Sequence, residues 1–398
     1  MSCMSDISKV IAILVAASAP FSSAAAASLR ANGPGHGIAY GNLTLTPQVW
    51  LSGEYDSNIY WSNYDEQSDY IYTVSPGVKL ELPWDRERNV FKAWYRADLI
   101  YFQDHPRENH QDHTADGYLR YRVSDYTLEL EDLYRKTSSR FDTEFRERIR
   151  RTDNLARARL SAEYNAFEVQ AEYRNFYRNF DTERYERYDR DENIADVYLL
   201  YRVASKTQAL VEYVYDVIDY RTDNARDGQY HEILAGFRGN LTSRLTGEAK
   251  IGYQSRKYDQ PYWNDYGGLV GYVSLEEEFS RATSLSVGWE RTLQESTYVA
   301  NSYYQINRVW ARISQQLVRK LRGFAEASYG NYYYPNPDGV PGGNRRNDDA
   351  YFVSAGLVYS LQEYLNISLI YGWRRRDSNV PDLDYTDNRV GVVIYAYY

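Results

Sequence analysis

Cysteine is almost absent from this chain of 398 residues, which contains only Cys3. Cys3 precedes a short apolar stretch at residues 10–17 and does not stand at a cleavage site, so a lipoprotein is not indicated. Removal of the leader would leave no thiol. Disulfides, cysteine-ligated metals and thiol nucleophiles are therefore not expected in the mature protein.

Long apolar runs are also scarce. The stretch at residues 10–17 is much shorter than the ~20 residues that a membrane-spanning helix needs. It follows Lys9 and leads to small residues that end near Ala27, which is the pattern of a secretory signal peptide. The negative mean hydropathy excludes a helical membrane protein. We predict a signal peptide at residues 1–27 and a short periplasmic N-terminal segment at residues 28–42.

Histidine is the third scarce residue, with five in the chain. Hydrolytic sites need a histidine that meets a nucleophile or a carboxylate. His36 precedes the first predicted strand, and His231 is expected to face lipid. His105, His110 and His113 are predicted to share one loop, which is interpreted either as solvated or as a weak metal or surface-binding site. We predict no enzyme, and no catalytic, cofactor or metal residue.

Charge and tyrosine are abundant. The 46 basic and 55 acidic residues are interspersed, so the net charge of −9 does not indicate a nucleic-acid partner. Tyrosine occurs 43 times, against 12 phenylalanines and 8 tryptophans. Alternation of apolar and polar residues with tyrosines at segment ends is typical of a transmembrane β-barrel, with lipid outside, water inside and aromatic belts at both interfaces.

Alternating segments recur along the chain from Leu43 onward and predict about 18 antiparallel strands, with 16 as the alternative count. They lie at 43–55, 69–82, 89–101, 114–123, 126–135, 153–164, 167–177, 193–203, 208–220, 230–241, 245–258, 268–279, 283–294, 304–317, 321–334, 349–360, 364–375 and 387–398. Connections alternate between short turns and long loops. We therefore expect short periplasmic turns, long extracellular loops and periplasmic termini, with the barrel occupying residues 43–398.

The turn at residues 165–166 provides a test of the register, because residues opposite each other share a face. A two-residue turn there places Leu160 opposite Ala171 on an apolar face. It places Arg159 opposite Glu172 on a polar face. The same alternation on both strands predicts a lipid-facing outer surface and a polar interior.

Two further turns bear on the register. At residues 124–125, Leu119 lies opposite Leu130, and Arg120 lies opposite Glu129, so the faces again agree. At residues 205–206, a two-residue turn would place lipid-facing Val203 opposite polar Gln208. We expect an odd-length loop or a β-bulge there.

The last strand alternates up to a terminal aromatic residue. Its predicted outward residues are Val390, Val392, Ile394, Ala396 and Tyr398, all compatible with lipid. Such an ending resembles the signal by which outer-membrane barrels are recognised for insertion. We therefore expect an outer-membrane location, with lipid and the barrel-assembly machinery as partners.

The inward-facing residues of the early strands are strongly charged. The candidates for lining the lumen are Lys92, Trp94, Arg96, Arg120, Arg122, Glu129, Glu131, Arg157, Arg159, Glu172, Arg174 and Arg202. One interpretation is a ladder of ion pairs along a wet wall. The other is a pathway for a polar, anionic polymer held by arginine and lysine, with aromatic rings beside it.

Three stretches resemble an outer-membrane β-barrel porin family that is encoded with exopolysaccharide synthesis and exosortase systems. The first leads from Thr46-Pro47 through residues 55–60. The second covers residues 74–80, and the third covers residues 95–101. The resemblance implies a wide barrel through which a secreted polysaccharide leaves the cell, assisted by periplasmic export partners. We predict a polysaccharide conduit, with a general or solute-specific uptake porin as the alternative and a barrel enzyme with a rim active site less favoured.

Overall fold

The structure is a computed structural model that describes residues 37–140, 144, 147–298, 300–337 and 344–398. The predicted signal peptide at residues 1–27 lies outside the described residues, as does the first part of the predicted periplasmic segment, residues 28–36. Both assignments stay predictions. Among the described residues no helix is long and apolar enough to span a membrane.

Strands make up most of the described chain. They are β1 Ile38–Tyr40, β2 Leu43–Asp56, β3 Asp69–Trp84, β4 Asn89–Phe102, β5 His110–Val123, β6 Tyr126–Thr137, β7 Arg151–Tyr164, β8 Phe167–Phe180, β9 Arg190–Ala204, β10 Thr207–Tyr220, β11 Gly228–Asn240, β12 Leu245–Tyr258, β13 Tyr266–Ser280, β14 Thr283–Glu295, β15 Tyr303–Val318, β16 Leu321–Pro337, β17 Arg345–Gln362, β18 Leu365–Ser378 and β19 Tyr385–Tyr397. Short 3₁₀ helices occur at Pro106–Glu108, Glu183–Tyr188 and Asn224–Arg226.

The strands from β2 to β19 form a closed antiparallel barrel. Each pairs with the next along the chain, and β19 pairs with β2 to close the ring. In the described residues this ring has 18 strands, so the predicted fold class and strand count are confirmed. The short β1 pairs with the start of β2 as a separate hairpin. Closure leaves no unpaired sheet edge in the ring, which a membrane-spanning sheet requires.

The two faces of the barrel differ in exposure, and β7 shows which face is outside. Leu160 is 50% exposed, whereas the neighbouring Arg159 is 6% exposed. Side chains crowd together on the concave face of a closed sheet, so the exposed set is the outer one. The outer face carries apolar residues such as Leu130 and Val169. This matches the predicted lipid-facing surface.

The predicted hairpin registers are confirmed. Leu160 pairs with Ala171 and Arg159 with Glu172 across the turn at residues 165–166. The first turn residue, Asn165, has a φ of 54°. Asparagine tolerates this left-handed region, which two-residue hairpin turns favour because their twist matches that of the strands. At the turn of residues 124–125, Arg120 pairs with Glu129 as predicted.

The expected irregularity next to residues 205–206 is a β-bulge. Ala204 pairs with Thr207, but the next pair is Arg202 with Gln208, so Val203 is the extra residue. The bulge keeps apolar Val203 on the exposed outer face. The polar residues Arg202 and Gln208 remain paired with each other.

The interior is not polar throughout, contrary to the expectation from the sequence. Inward-facing side chains of β2 and β16 to β19 form an apolar cluster of Trp50, Phe324, Val358, Ile370, Val393 and Tyr395. The outward residues of β19 are placed as predicted, since Val390, Val392 and Ile394 are exposed. Strand β19 is therefore apolar on both faces near its end. Apolar side chains fill the part of the barrel interior next to β2 and β16 to β19.

Candidate functional site in the barrel interior

The twelve lumen-lining candidates lie on one face of the sheet. Arg120 pairs with Glu129, Glu129 pairs with Arg159, and Arg159 pairs with Glu172 across four consecutive strands. A second row joins Glu131, Arg157 and Arg174. Cross-strand partners share a face, so these residues line the inner surface. The remaining candidates, Lys92, Trp94, Arg96, Arg122 and Arg202, pair with residues of the same face.

The exposure of these candidates divides them into two groups. Arg96, Arg157, Arg159 and Glu172 are buried. The other eight, Lys92, Trp94, Arg120, Arg122, Glu129, Glu131, Arg174 and Arg202, are partly or fully exposed. The buried group lies within the wall of packed side chains. Contact with a passing solute is therefore expected first for the exposed group.

The basic residues of the middle strands are paired with acids. Nη2 of Arg157 lies 2.6 Å from a carboxylate oxygen of Glu131, and Nε of Arg159 lies 2.6 Å from a carboxylate oxygen of Glu172. Nε of Arg174 lies 3.2 Å from the other carboxylate oxygen of Glu172. A buried charge needs such partners, because an unpaired one is costly in a low dielectric. This geometry supports the ion-pair ladder interpretation of the lining.

The candidates on the earlier strands have different surroundings. Lys92 Nζ lies 3.1 Å from Glu81, and Arg96 Nε lies 2.9 Å from Asp98. The Arg96 guanidinium also lies 5.5 Å from the ring centre of Trp50 and 5.4 Å from that of Trp94. Arg96 is therefore held by an ion pair and two aromatic rings in the inner wall.

Changing Arg120, Arg122, Arg157 and Arg159 together to serine is expected to shift the ion selectivity of reconstituted channels toward cations. Their acidic partners would remain in the inner wall with fewer positive charges beside them, and cations would then be favoured over anions. The reversal potential in a salt gradient measures the shift, which should be largest at low ionic strength because screening is weak there.

A variant with lysine at the same four positions is the matched control, because it keeps the four positive charges and removes only the guanidinium geometry. Its reversal potential should stay near that of the wild type. An unchanged reversal potential in the serine variant at low salt would show that these side chains do not line the conducting path.

A loop between β6 and β7 enters the barrel, and the sequence did not indicate it. This crossing loop comprises residues 138–150 between β6 and β7, of which 138–140, 144 and 147–150 are described. The carboxylate of Glu144 accepts hydrogen bonds from Ser296 Oγ at 2.5 Å and from the backbone N–H of Thr297 at 2.6 Å. The Thr297 hydroxyl also donates to this carboxylate. Ser296 and Thr297 belong to the connection between β14 and β15.

Ring order shows how far the crossing loop reaches. Strand β14 lies eight positions after β6 in the ring of eighteen strands. A strand nine positions away would lie directly opposite β6. At Glu144 the crossing loop therefore contacts the nearly opposite wall. This contact lies at the end where the long loops emerge, here called the long-loop end. The other end, with turns such as residues 124–125 and 165–166, is the short-turn end. The lumen is narrowed at the long-loop end.

Two arginines of the crossing loop contact the wall on another side. The guanidinium of Arg140 lies 4.9 Å from the ring centre of Trp61, and that of Arg148 lies 5.0 Å from the ring centre of Phe102. Nε of Arg148 is 3.7 Å from a carboxylate oxygen of Glu108. Burial, and next the repulsion by the positive charge of Arg148, lowers the pKa of Arg140. The crossing loop thus brings positive charge into the constriction.

The three histidines predicted to share one loop are separated, so that prediction is wrong. His105 is in the connection before β5, where its Nδ1 lies 2.8 Å from Asp69. His110 and His113 belong to β5 itself. Nδ1 of His113 contacts the hydroxyl of Tyr95 at 2.8 Å. In the part of the chain that is described, no group of three or more histidine, cysteine or acidic residues is arranged to hold a metal ion.

A closed antiparallel barrel with an apolar outer face and a charged interior defines a transmembrane β-barrel of the outer-membrane porin class. The family model "Putative beta-barrel porin 2" matches residues 33–397, and the chain belongs to this family. This confirms the predicted porin family and supports an outer-membrane location and a transport role. Family and fold indicate a channel rather than an enzyme.

Solved structures of similar shape are distant in sequence. The outer membrane protein OpdK of Pseudomonas aeruginosa is 11% identical, with 89% of this chain and 99% of that chain covered and a TM-score of 0.48. OccK2 (OpdF) of Pseudomonas aeruginosa is 11% identical, with 89% and 98% covered and a TM-score of 0.49. A bacterial polysaccharide outer membrane secretin is 12% identical, with 90% and 100% covered and a TM-score of 0.39. Similarities of this extent do not indicate what passes through this barrel. No curated protein matches the chain.

Proposed function

We propose that the protein is a channel for small hydrophilic solutes that is narrowed by the crossing loop. The observation that carries this proposal is the attachment of Glu144 to Ser296 and Thr297 on the far wall. A loop held at both ends across a lumen divides the opening and sets an upper size for what passes. A folded or branched polymer would need the loop to move aside.

Export of an exopolysaccharide is the second candidate. It is supported by the family resemblance and by the inward rings of Trp94, Tyr118 and Tyr198 beside charged residues, since sugar faces pack on aromatic rings. It would involve a polysaccharide cargo and periplasmic export partners. In either case we infer that the short-turn end and both termini face the periplasm, because barrels of this class have short turns on that side.

Solute entry into proteoliposomes tests the proposed function. The purified barrel is reconstituted, and swelling rates are compared for glucose, sucrose and maltoheptaose. We expect glucose to enter fastest and maltoheptaose to be excluded, because the crossing loop limits the opening. Entry of maltoheptaose at the rate of glucose would contradict the proposal. Exclusion of glucose from the same vesicles would also contradict it.

Deletion of the gene separates the two candidates in the cell. Loss of surface polysaccharide in the deletion strain, restored by the wild-type protein, would favour export over solute passage. If the proposal is correct, the amount of surface polysaccharide should be unchanged, and the deletion strain should take up small hydrophilic solutes more slowly.

A further inference from the structure

Four consecutive turns at the short-turn end are basic and contain no acidic residue. They connect strands β9 to β16 in pairs, at residues 205–206, 241–244, 281–282 and 319–320. Their basic residues are Lys206, Arg244, Arg281, Arg319 and Lys320. We call these five residues the basic arc.

The other short turns between barrel strands provide the comparison. Residues 85–88 contain two arginines and two acids, so their charges cancel. Residues 165–166 are uncharged. The turns at residues 124–125 and 363–364 each contain one acid and no basic residue. Net positive charge in the short turns is therefore confined to one side of the ring, between β9 and β16.

The cations of the basic arc are available to an external partner. All five residues are exposed. In the part of the chain that is described, no carboxylate lies within ion-pair distance of any of them. Arg244 donates to the backbone oxygen of Phe279 at 3.4 Å. Lys320 donates to the backbone oxygen of Leu361 at 2.9 Å. These contacts leave the positive charges in place, because a backbone oxygen carries no net charge.

A β-bulge precedes three of the four turns and places an extra apolar residue on the outer face. The extra residues are Val203, Phe279 and Leu317, and each is about half exposed. Phe279 lies two residues before Arg281, and Leu317 lies two residues before Arg319. A basic side chain thus follows shortly after the last apolar residue that the outer face presents to lipid.

This position indicates lipid headgroups as the partner of the basic arc. Apolar residues of the outer face meet the hydrocarbon of the membrane, so side chains just beyond them lie at the level of the headgroups. Lysine and arginine there keep their stems on apolar surface and extend their charge into the polar layer. The exposed acid Glu277 lies four residues before Arg281, and the five cations outnumber it.

The spacing of the turns suits several headgroups better than one extended ligand. Neighbouring strands lie ~4.8 Å apart, so turns that are two strands apart are separated by at least ~10 Å. This separation exceeds the screening length of ~8 Å at physiological salt. Each turn therefore acts mainly on a group in direct contact with it. Lipids along the rim meet this condition, because each brings its own phosphate.

We propose that the basic arc binds the headgroups of anionic phospholipids, in which no positive charge balances the phosphate. Ammonium and guanidinium groups bind phosphate oxygens through charge-assisted hydrogen bonds. The remaining short turns have no net positive charge and do not select these lipids. The inference goes beyond the proposed function, since it concerns the outside of the barrel and does not depend on what passes through the lumen.

Native mass spectrometry of the purified full-length barrel tests the inference. The barrel is incubated in detergent with equal amounts of phosphatidylglycerol and phosphatidylcholine, and the lipids that stay bound are counted. We expect about fivefold more bound phosphatidylglycerol, which corresponds to the ~1 kcal/mol that one basic residue contributes at an anionic membrane surface. Equal retention of the two lipids by the wild type would overturn the proposal and favour an acidic periplasmic protein as the partner of these turns.

Arg319→Ser/Lys320→Ser should lower the number of bound phosphatidylglycerol molecules. Arg86→Ser/Arg88→Ser is the matched control, because it also removes two cations from one short turn, but from a turn whose own acids offset them. Its lipid retention should stay at the wild-type level. Serine at all five positions of the basic arc should abolish the preference. A five-serine variant with the wild-type preference would overturn the proposal, as would an equal loss in the matched control.

A charge-preserving variant separates loss of charge from loss of folding. Arg244→Lys/Arg281→Lys/Arg319→Lys keeps all five charges and should keep the preference for phosphatidylglycerol. Phosphatidylglycerol should also raise the melting temperature of the wild type more than phosphatidylcholine does, because it binds the folded barrel more tightly. This difference should disappear in the five-serine variant. Loss of the preference in the lysine variant would contradict a contact based on charge.

Discussion

Glu144→Ala is expected to raise the single-channel conductance severalfold. The Glu144 carboxylate accepts hydrogen bonds from Ser296 and from both the backbone and the hydroxyl of Thr297. Hydrogen bonds to a charged group contribute ~1.5–3 kcal/mol each, so losing this set weakens the attachment of the crossing loop to the far wall. The freed loop would no longer divide the lumen. Planar bilayer recordings at high salt measure the change.

Glu147→Ala is the matched control for this variant. Glu147 lies in the same loop, and its carboxylate accepts a hydrogen bond from the Tyr185 hydroxyl at 2.9 Å. Tyr185 belongs to the connection after β8, next to the origin of the loop, so the attachment to the far wall stays. Its conductance should remain close to that of the wild type. A Glu144→Ala channel with wild-type conductance would show that the crossing loop does not restrict the open pore.

Leu160→Arg is expected to prevent most of the protein from assembling in the membrane. Leu160 lies on the outer face, 50% exposed, opposite Leu128 on β6 and Ala171 on β8. An arginine on the lipid face costs about 2–4 kcal/mol near the bilayer midplane and ~0–1 kcal/mol near the interfaces. The yield of folded barrel in outer-membrane fractions, measured by resistance to urea extraction, should fall sharply.

Tyr164→Arg is the matched control on the same face of the same strand. Tyr164 adjoins the turn at residues 165–166 and is 76% exposed, so its side chain lies at the rim of the barrel. An arginine there can reach water and headgroups. Its yield should be close to that of the wild type. Equal yields for Leu160→Arg and the wild type would mean that Leu160 does not face lipid.

Much of the barrel wall was predictable because its determinants are local. The side-chain period of two and the short turns specify which residues lie opposite each other, as at Arg159 and Glu172. The bulge at Val203 was also predictable, since an unbroken register would have exposed Gln208 to lipid. Strand ends were less well predicted. Strand β5 begins at His110, earlier than expected, so His113 pairs within the sheet.

The candidate site was predicted only in part. Alternation placed the twelve candidates on the inner face, but alternation does not report packing across the lumen. It therefore did not distinguish buried Arg96 from exposed Arg122. The apolar inner cluster had a local signal, the unbroken apolar run at residues 392–394, in which both faces of one strand are apolar. No local pattern in the sequence predicted that Arg140 would lie in the barrel interior beside Trp61.

The sequence by itself determined the outer-membrane class of the fold, a ring of about 18 strands and the identity of the inner face, while the choice between 16 and 18 strands came from the structure. These follow from contacts between neighbouring strands, which are close in sequence and repeat with a fixed period. Only the tertiary structure decided the course of the crossing loop, because Glu144 and Ser296 are 152 residues apart and meet only after the barrel closes. The same holds for a recess beside the crossing loop, where Arg140, Trp61 and Arg389 come together from distant parts of the chain. Hydrogen bonds and burial in three dimensions, which no sequence period encodes, determine those positions.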